Sequence, residues 1–229
     1  MASQLRLPRA VLSLVLAAAS AALSAQGTVT AAEFFKQMQS KYSSVTDYEA
    51  RVTIVTGKTS MDGILSYKTP GLLRIDFDNP PNQVICYNGE ELIIYVPMYS
   101  AILRQYIGKG VDTPGAMGSP MGLELMGKNF VIAYDSTPQA LPLDEGSSES
   151  VVKLALTARV AGEGYRKLVL SVDPSTKLIR RIEGTTISNA TFRFDYQGIR
   201  LNQGLPDKRF AYESPASANE YNNFLFNPE

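Results

Sequence analysis

A mainly β fold with one or two helices, a curved antiparallel sheet or open barrel, is what this sequence predicts, and three observations carry the prediction. Short stretches of alternating apolar and polar residues recur along the chain, as in "GLLRIDFDN" at 71–79. Strand-favouring aromatics are plentiful, with twelve Tyr and nine Phe but no Trp. Seventeen Gly and thirteen Pro supply frequent turns. A chain of 229 residues that is 45% hydrophobic and 19% charged suits one domain with a substantial core.

The first stretch is expected to be a leader. Arg6 and Arg9 precede an apolar run from Ala10 to Leu23, and small residues at Ala22 and Ser24 fit a cleavage site, which places the mature start near Ala25 to Gly27. The run is shorter than the roughly 20 residues a membrane span needs. Residues 1–25 are therefore read as a secretory signal peptide and 26–229 as a single domain. Without Arg6 and Arg9 the chain has 20 basic against 22 acidic residues, so nothing in its charge favours nucleic acid or an anionic membrane surface.

Downstream of the leader, Thr30 and Glu33 stand at capping-box spacing, and Phe34, Phe35, Met38 and Tyr42 form an apolar helical stripe. Six strand patterns follow with short connections at 48–57, 60–68, 71–78, 82–88, 91–97 and 100–106, which suits an antiparallel meander. The Gly/Pro-rich stretch 108–118 is expected to be a mobile loop. A short helix is expected over 119–127, with Met121, Leu125 and Met126 facing one way. Further strands are expected at 130–135, 151–160, 165–173, 177–184, 190–202 and 210–214, with a polar link at 136–150. Cys86, the single cysteine, sits in an apolar strand and reads as a small core residue. Asn189-Ala190-Thr191 matches a glycosylation pattern and is read as chance.

The sequence lacks most catalytic constellations. It contains no His, so Ser-His-Asp and Cys-His arrangements and His-ligated zinc are excluded. "GSPMG" at 118–122 is not a nucleophile elbow, and no phosphate-binding glycine loop is present. Asp76 and Asp78 share a strand face and read as solvated outer-face charges rather than a glycosidase pair. The chain reads as a binding protein, not an enzyme, with no cofactor implied.

Gly63, Leu65, Lys68, Pro70 and Leu73, followed by Pro80, Asn88, Gly89, Leu92, Tyr95 and Pro97, occupy a series of positions that resembles the periplasmic outer-membrane lipoprotein carrier family, LolA. Leu205, Pro206, Asp207, Phe210 and Pro215 resemble that family's closing segment, so the resemblance covers nearly the whole mature chain. It implies an unclosed half-barrel, a strongly curved antiparallel sheet whose apolar concave face lies under helices that act as a lid. It also implies a periplasmic monomer that carries the acyl chains of lipoproteins from an inner-membrane releasing complex to an outer-membrane acceptor. The physical need is plain: at about 0.8 kcal/mol per methylene, an acyl chain of ~16 carbons costs ~12 kcal/mol to expose to water.

Alternation and the family match single out Leu65, Tyr67, Leu73, Ile75 and Phe77 as concave-face residues, for ligand contact or for plain core packing. Met98, Met117, Met121 and Met126 fall around the loop and lid, where methionine either lines an adaptable cavity or fills an irregular core. In the family an Arg before the motif's Pro helps hold the lid closed. This chain has Thr69 there, and Lys68 faces outward by parity, so an easier-opening lid is expected, with Thr69 bonding a helix carbonyl as a neutral partner. The tail beyond Pro215 carries Tyr221, Phe224, Leu225 and Phe226, suited to an extra edge element or a partner contact. Two other classes fit a half-barrel: the sensor domain of RseB-type regulators, and a carrier of another lipid or glycolipid.

Overall fold

The computed structural model describes residues 29–107, 116–160 and 164–225. The leader, most of the 108–118 loop and Phe226 lie outside these residues. From Ala31 onward the chain packs as one unit. It opens with helix α1 (Ala31–Ser43), whose buried residues Phe34, Phe35, Met38 and Tyr42 are the stripe the sequence marks.

Strands β1 (Asp47–Thr56), β2 (Thr59–Lys68), β3 (Leu72–Asn79), β4 (Val84–Tyr87), β5 (Glu91–Val96) and β6 (Ala101–Tyr106) follow as an antiparallel meander. Helix α2 (Pro120–Asn129) leads into β7 (Phe130–Tyr134) and the two-residue β8 (Leu141–Pro142). A second meander comprises β9 (Ser150–Ala158), β10 (Tyr165–Val172), β11 (Ile179–Thr186) and β12 (Thr191–Leu201), and β13 (Asn219–Asn222) comes last. The sheet order is β13-β6-β5-β4-β3-β2-β1-β12-β11-β10-β9-β7, with β8 beside β9. The two meanders are joined where β1 pairs with β12, and the edges β13 and β7 do not meet, so the curved sheet is not closed into a barrel. The mainly β half-barrel that the sequence predicts is the fold observed.

Each strand alternates between two faces. On the inner face, under the helices, cross-strand neighbours are Tyr67 with Leu73, Leu65 with Ile75, and Ile75 with Ile85. They join α1 and the inner residues of β9–β12 in one core. At Gly63 the register shifts, and a Cβ there would lie 2.4 Å from the Asp76 carbonyl oxygen. Only glycine permits that close approach.

The outer face carries two straps. The C-terminal tail crosses β2–β4: Lys68 bonds the Leu205 carbonyl and pairs with Asp207 at 2.5 Å, Arg74 donates to the Ala211 carbonyl, and Arg209 pairs with Asp76 at 2.5 Å. Phe210 is buried there, and its carbonyl accepts from the Cys86 thiol at 3.1 Å. Burial pushes that thiol up to about 11, which keeps Cys86 a neutral core residue as expected. The second strap is the 136–149 link, whose Asp144 meets Arg181 at 2.7 Å, while Arg181 also pairs with Asp195.

Two sequence expectations are corrected. Residues 210–214, expected as a closing strand, form no ladder; a 3-10 turn (Asp207–Phe210) and an extended strap replace it because Phe210 plugs the outer face instead of joining the sheet. In α2 the buried residues are Gly122, Leu123 and Met126, whereas Met121 is exposed: the stripe that meets the core runs through Leu123 and Met126, three residues apart, and leaves Met121 on the solvent side.

Candidate functional site: the inner face and its helical cover

All five concave-face candidates, Leu65, Tyr67, Leu73, Ile75 and Phe77, are buried and face inward from β2 and β3. They are continuous with Tyr48, Ala50, Val52 and Ile54 of β1 and with Leu154, Leu156, Leu168, Leu170 and Ile182 of the second meander. The face is apolar because these aliphatic and aromatic residues recur at alternate positions along their strands.

The cover is α1 and α2. Gln39 donates from its amide to the Leu123 carbonyl at 3.1 Å. Gly127 lets the helices close together: a Cβ there would lie 2.9 Å from Gln39 Nε2 and 3.3 Å from Phe35 Cε1. Ser119 caps α2 by accepting from the Gly122 N–H at 3.0 Å. Of the lid candidates, Met126 is buried, Met117 and Leu125 are half-buried, and Met121 points to solvent. Met98 does not join them: it is 79% exposed on the turn between β5 and β6, next to Tyr99 at 72%.

Four tyrosines sit beneath the turn that leads into α2. Tyr48 donates its hydroxyl to the Gly118 carbonyl at 3.1 Å, and Tyr67 is hydrogen-bonded to the side chains of Thr69 and Ser119. Tyr42 accepts from the Ile179 N–H at 3.1 Å. The rings of Tyr48 and Tyr67 lie 5.3 Å apart. Burial raises the pKa of each phenol: Tyr42 reaches about 12 despite the Ile179 bond and the charge of Arg180, and Tyr48 and Tyr196 are also pushed well up. These phenols are neutral hydrogen-bonding groups at physiological pH.

Thr69 donates to the Val45 carbonyl at 3.0 Å, just past the end of α1, so its neutral bond runs to the α1–β1 turn. Lys68 faces outward, as its parity requires. Sequence reasoning overlooked Tyr48, Gln39, Leu123 and Gly127. One signal was present: Tyr48 shares its parity with Ala50, Val52 and Ile54, and a buried tyrosine needs a partner for its hydroxyl. Beside these rings a gap lined by Tyr42, Tyr48, Gly118, Ile179, Tyr196 and Leu201 offers only about 10 Å³, room for about one water. At that spot a ligand enters only by displacing protein atoms. Among the described residues, no helix is long and apolar enough to cross a membrane, and no cluster of acidic or thiol side chains is placed to hold a metal.

An open sheet with an apolar inner face under a small helical cover defines a half-barrel binding scaffold. No protein-family model matches the sequence. The outer-membrane lipoprotein carrier protein of Dechloromonas aromatica strain RCB is 24% identical over 157 residues, 68% of this chain and 69% of that protein. Among solved structures, an uncharacterized conserved protein from Thermus thermophilus matches with a TM-score of 0.53 at 10% identity, covering 82% of this chain and 98% of that one. A LolA superfamily protein from Nitrosomonas europaea matches with a TM-score of 0.42 at 15% identity, covering 80% and 98%. The chain is similar in sequence to a lipoprotein carrier protein and is an unclosed half-barrel in fold.

Proposed function

We propose that this protein is a non-enzymatic periplasmic carrier that shelters the acyl chains of lipoproteins on the inner face of its half-barrel. One observation carries the reading: a continuous apolar face lies under a helical cover in which, among the described residues, neutral hydrogen bonds hold α2, from Gln39 of α1 to Leu123 and from Tyr48 of the sheet to the turn that leads into the helix. Acyl chains replace α2 and its turn over Leu65, Tyr67, Leu73, Ile75 and Phe77. Sheltering ~16 carbons would release ~12 kcal/mol, and displacing Leu123 and Met126 with their hydrogen bonds offsets part of it, so the ligand stays releasable. In the finer form of the proposal, the mature domain 26–229 works as a monomer without a cofactor. It receives its cargo from an inner-membrane releasing complex and delivers it to an outer-membrane acceptor.

The test is retention of a native lipoprotein by the immobilised mature protein, with the acylated form compared against one whose lipidated Cys is replaced. Retention of the acylated form alone, lost in Leu73→Glu but kept in the outer-face variant Arg51→Glu, is the expected result. Equal retention of both forms overturns it in favour of a protein-sensing module. Retention of neither, with free lipid still bound, points to a carrier of another lipid.

A further inference from the structure

The edge of β6 is occupied by the chain's own tail in a way that differs from every other pairing in the sheet. β13 lies parallel to β6, whereas the remaining ladders are antiparallel. It is four residues long, and all four side chains are exposed. What holds it is almost wholly main chain and charge. The Asn219 N–H donates to the Ser100 carbonyl at 2.7 Å, and the Asn223 N–H donates to the Arg104 carbonyl at 2.8 Å. The Leu225 N–H donates to the Gln105 side-chain oxygen at 3.0 Å, and Glu220 pairs with Arg104 at 2.6 Å.

The contrast with the preceding strap is sharp. Up to Ala218 the tail is anchored by buried Phe210, by the Tyr212 ring against Tyr95 and under the Arg74 guanidinium, and by Ala218 against the outer cluster. Beyond it burial is slighter: Phe224 is only half-buried, and Tyr221 is 55% and Leu225 53% exposed. A strand that contributes main-chain bonds without burial gains little over its own ordering entropy. The β6 edge, "AILRQY", is by contrast a strong strand former that needs a cover.

We propose that the β6 edge is a peptide-docking site on which β13 is an exchangeable occupant, and that its partner is an extended protein segment added parallel to β6 with an acidic residue facing Arg104. Arg104 supplies the selectivity. It stays paired with Glu91 at 2.8 Å when β13 leaves, and its second carboxylate position then awaits an incoming acid. Gln105 fixes the far end by accepting a main-chain N–H. Recognition of this kind takes affinity from the ladder and specificity from one side-chain pair. The site stands at the edge of the sheet and does not depend on what the inner face carries.

The probe is a labelled synthetic peptide of residues 214–225, SPASANEYNNFL, added to the full chain and followed by fluorescence anisotropy. The intact protein should bind it weakly, because the resident tail competes. A Glu220→Arg protein, whose own strand is loosened, should bind it at least ten-fold more tightly. Two altered peptides guard against misfolding of the protein: one with Asn219→Pro, which lacks the N–H that meets Ser100, and one with Glu220→Arg should each lose that binding. Absence of binding by the Glu220→Arg protein, or equal binding of the altered peptides, overturns the proposal. Concentration-dependent dimers of the intact protein in light scattering, abolished by Glu220→Arg, also overturn it, because the edge then serves exchange between copies.

Discussion

On the inner face α2 is held by Leu123 and Met126, by the Tyr48 and Tyr67 hydroxyls and by the Gln39 amide. On the outer face of the same sheet the straps are held by Lys68 against Asp207, Arg209 against Asp76, Arg181 against Asp144 and Arg74 on the Ala211 carbonyl, with Phe210 as a plug. The difference separates a cover that can be exchanged for other apolar matter from a brace that cannot. Hydrocarbon replaces Leu and Met contacts at little cost, whereas an apolar chain cannot make the contacts of the half-buried Arg209–Asp76 pair.

The largest effect that sharpens this contrast is expected from Phe210→Ala. Emptying a fully buried aromatic site should lower unfolding stability by about 3–5 kcal/mol in urea titration. A loss under about 1 kcal/mol would place the strap among the exchangeable covers.

Next is a pH asymmetry. Tyr42 is raised by burial from its ordinary value of 10.0 to about 12, so the unfolded chain ionises first. The stabilisation, about 3 kcal/mol at most, is complete below pH ~10 and is lost as pH climbs toward ~12. Asp76 behaves oppositely: burial pushes its carboxyl up, but Arg74 and Arg209 together more than offset that and leave it below its ordinary value. Its contribution is present above pH ~4 and is lost as pH falls through the lowered value. Phenolate absorbance should rise with the alkaline transition and report the inner face, while Asp76→Asn should flatten the acid limb alone. Cys86 adds an outer-face loss between pH ~9 and about 11, which absorbance at phenolate wavelengths does not detect.

The smallest effect concerns the latch itself. Tyr48→Phe removes the hydroxyl that donates to the Gly118 carbonyl, which is expected to cost about 1 kcal/mol and to let an acyl-chain dye bind roughly five-fold more tightly. Thr69→Arg should act in the opposite direction by adding a charged donor beside the Val45 carbonyl. Unchanged dye binding in both variants would separate the latch from uptake.

The alternation in Leu73, Arg74, Ile75, Asp76 and Phe77 assigns both faces of β3 correctly, and the 3.6-residue stripe of α1 matches its buried residues. Lys68 was legible as outward from parity alone. What stayed hidden depends on partners far away in sequence. Parity puts Tyr48 inside but does not say that its hydroxyl reaches Gly118, 70 residues on. "FAYES" has strand composition, yet Phe210 is held on the outer face, where its carbonyl accepts from Cys86, 124 residues earlier in sequence. The tail was legible as an extra edge element from Tyr221, but the strand it forms, "NEYN", is mostly Asn and Glu, and its parallel pairing is set by the β6 edge rather than by its own composition.

The seam between β1 and β12 also governs how the chain reaches this shape. Thr46 is bound to Asn202 across 156 residues, and the Asp47 carboxylate receives the Gln203 and Gly204 N–H groups at 2.7 and 3.1 Å. A chain emerging from its N-terminal end therefore holds β1 with one flank unpaired until almost the last strand appears. Loop closure on that scale places completion of the sheet late and slow, and through that interval β1–β6 remain a partial, opening-prone meander. Until β12 arrives, the inner face of β1–β6 lacks the second meander that completes it.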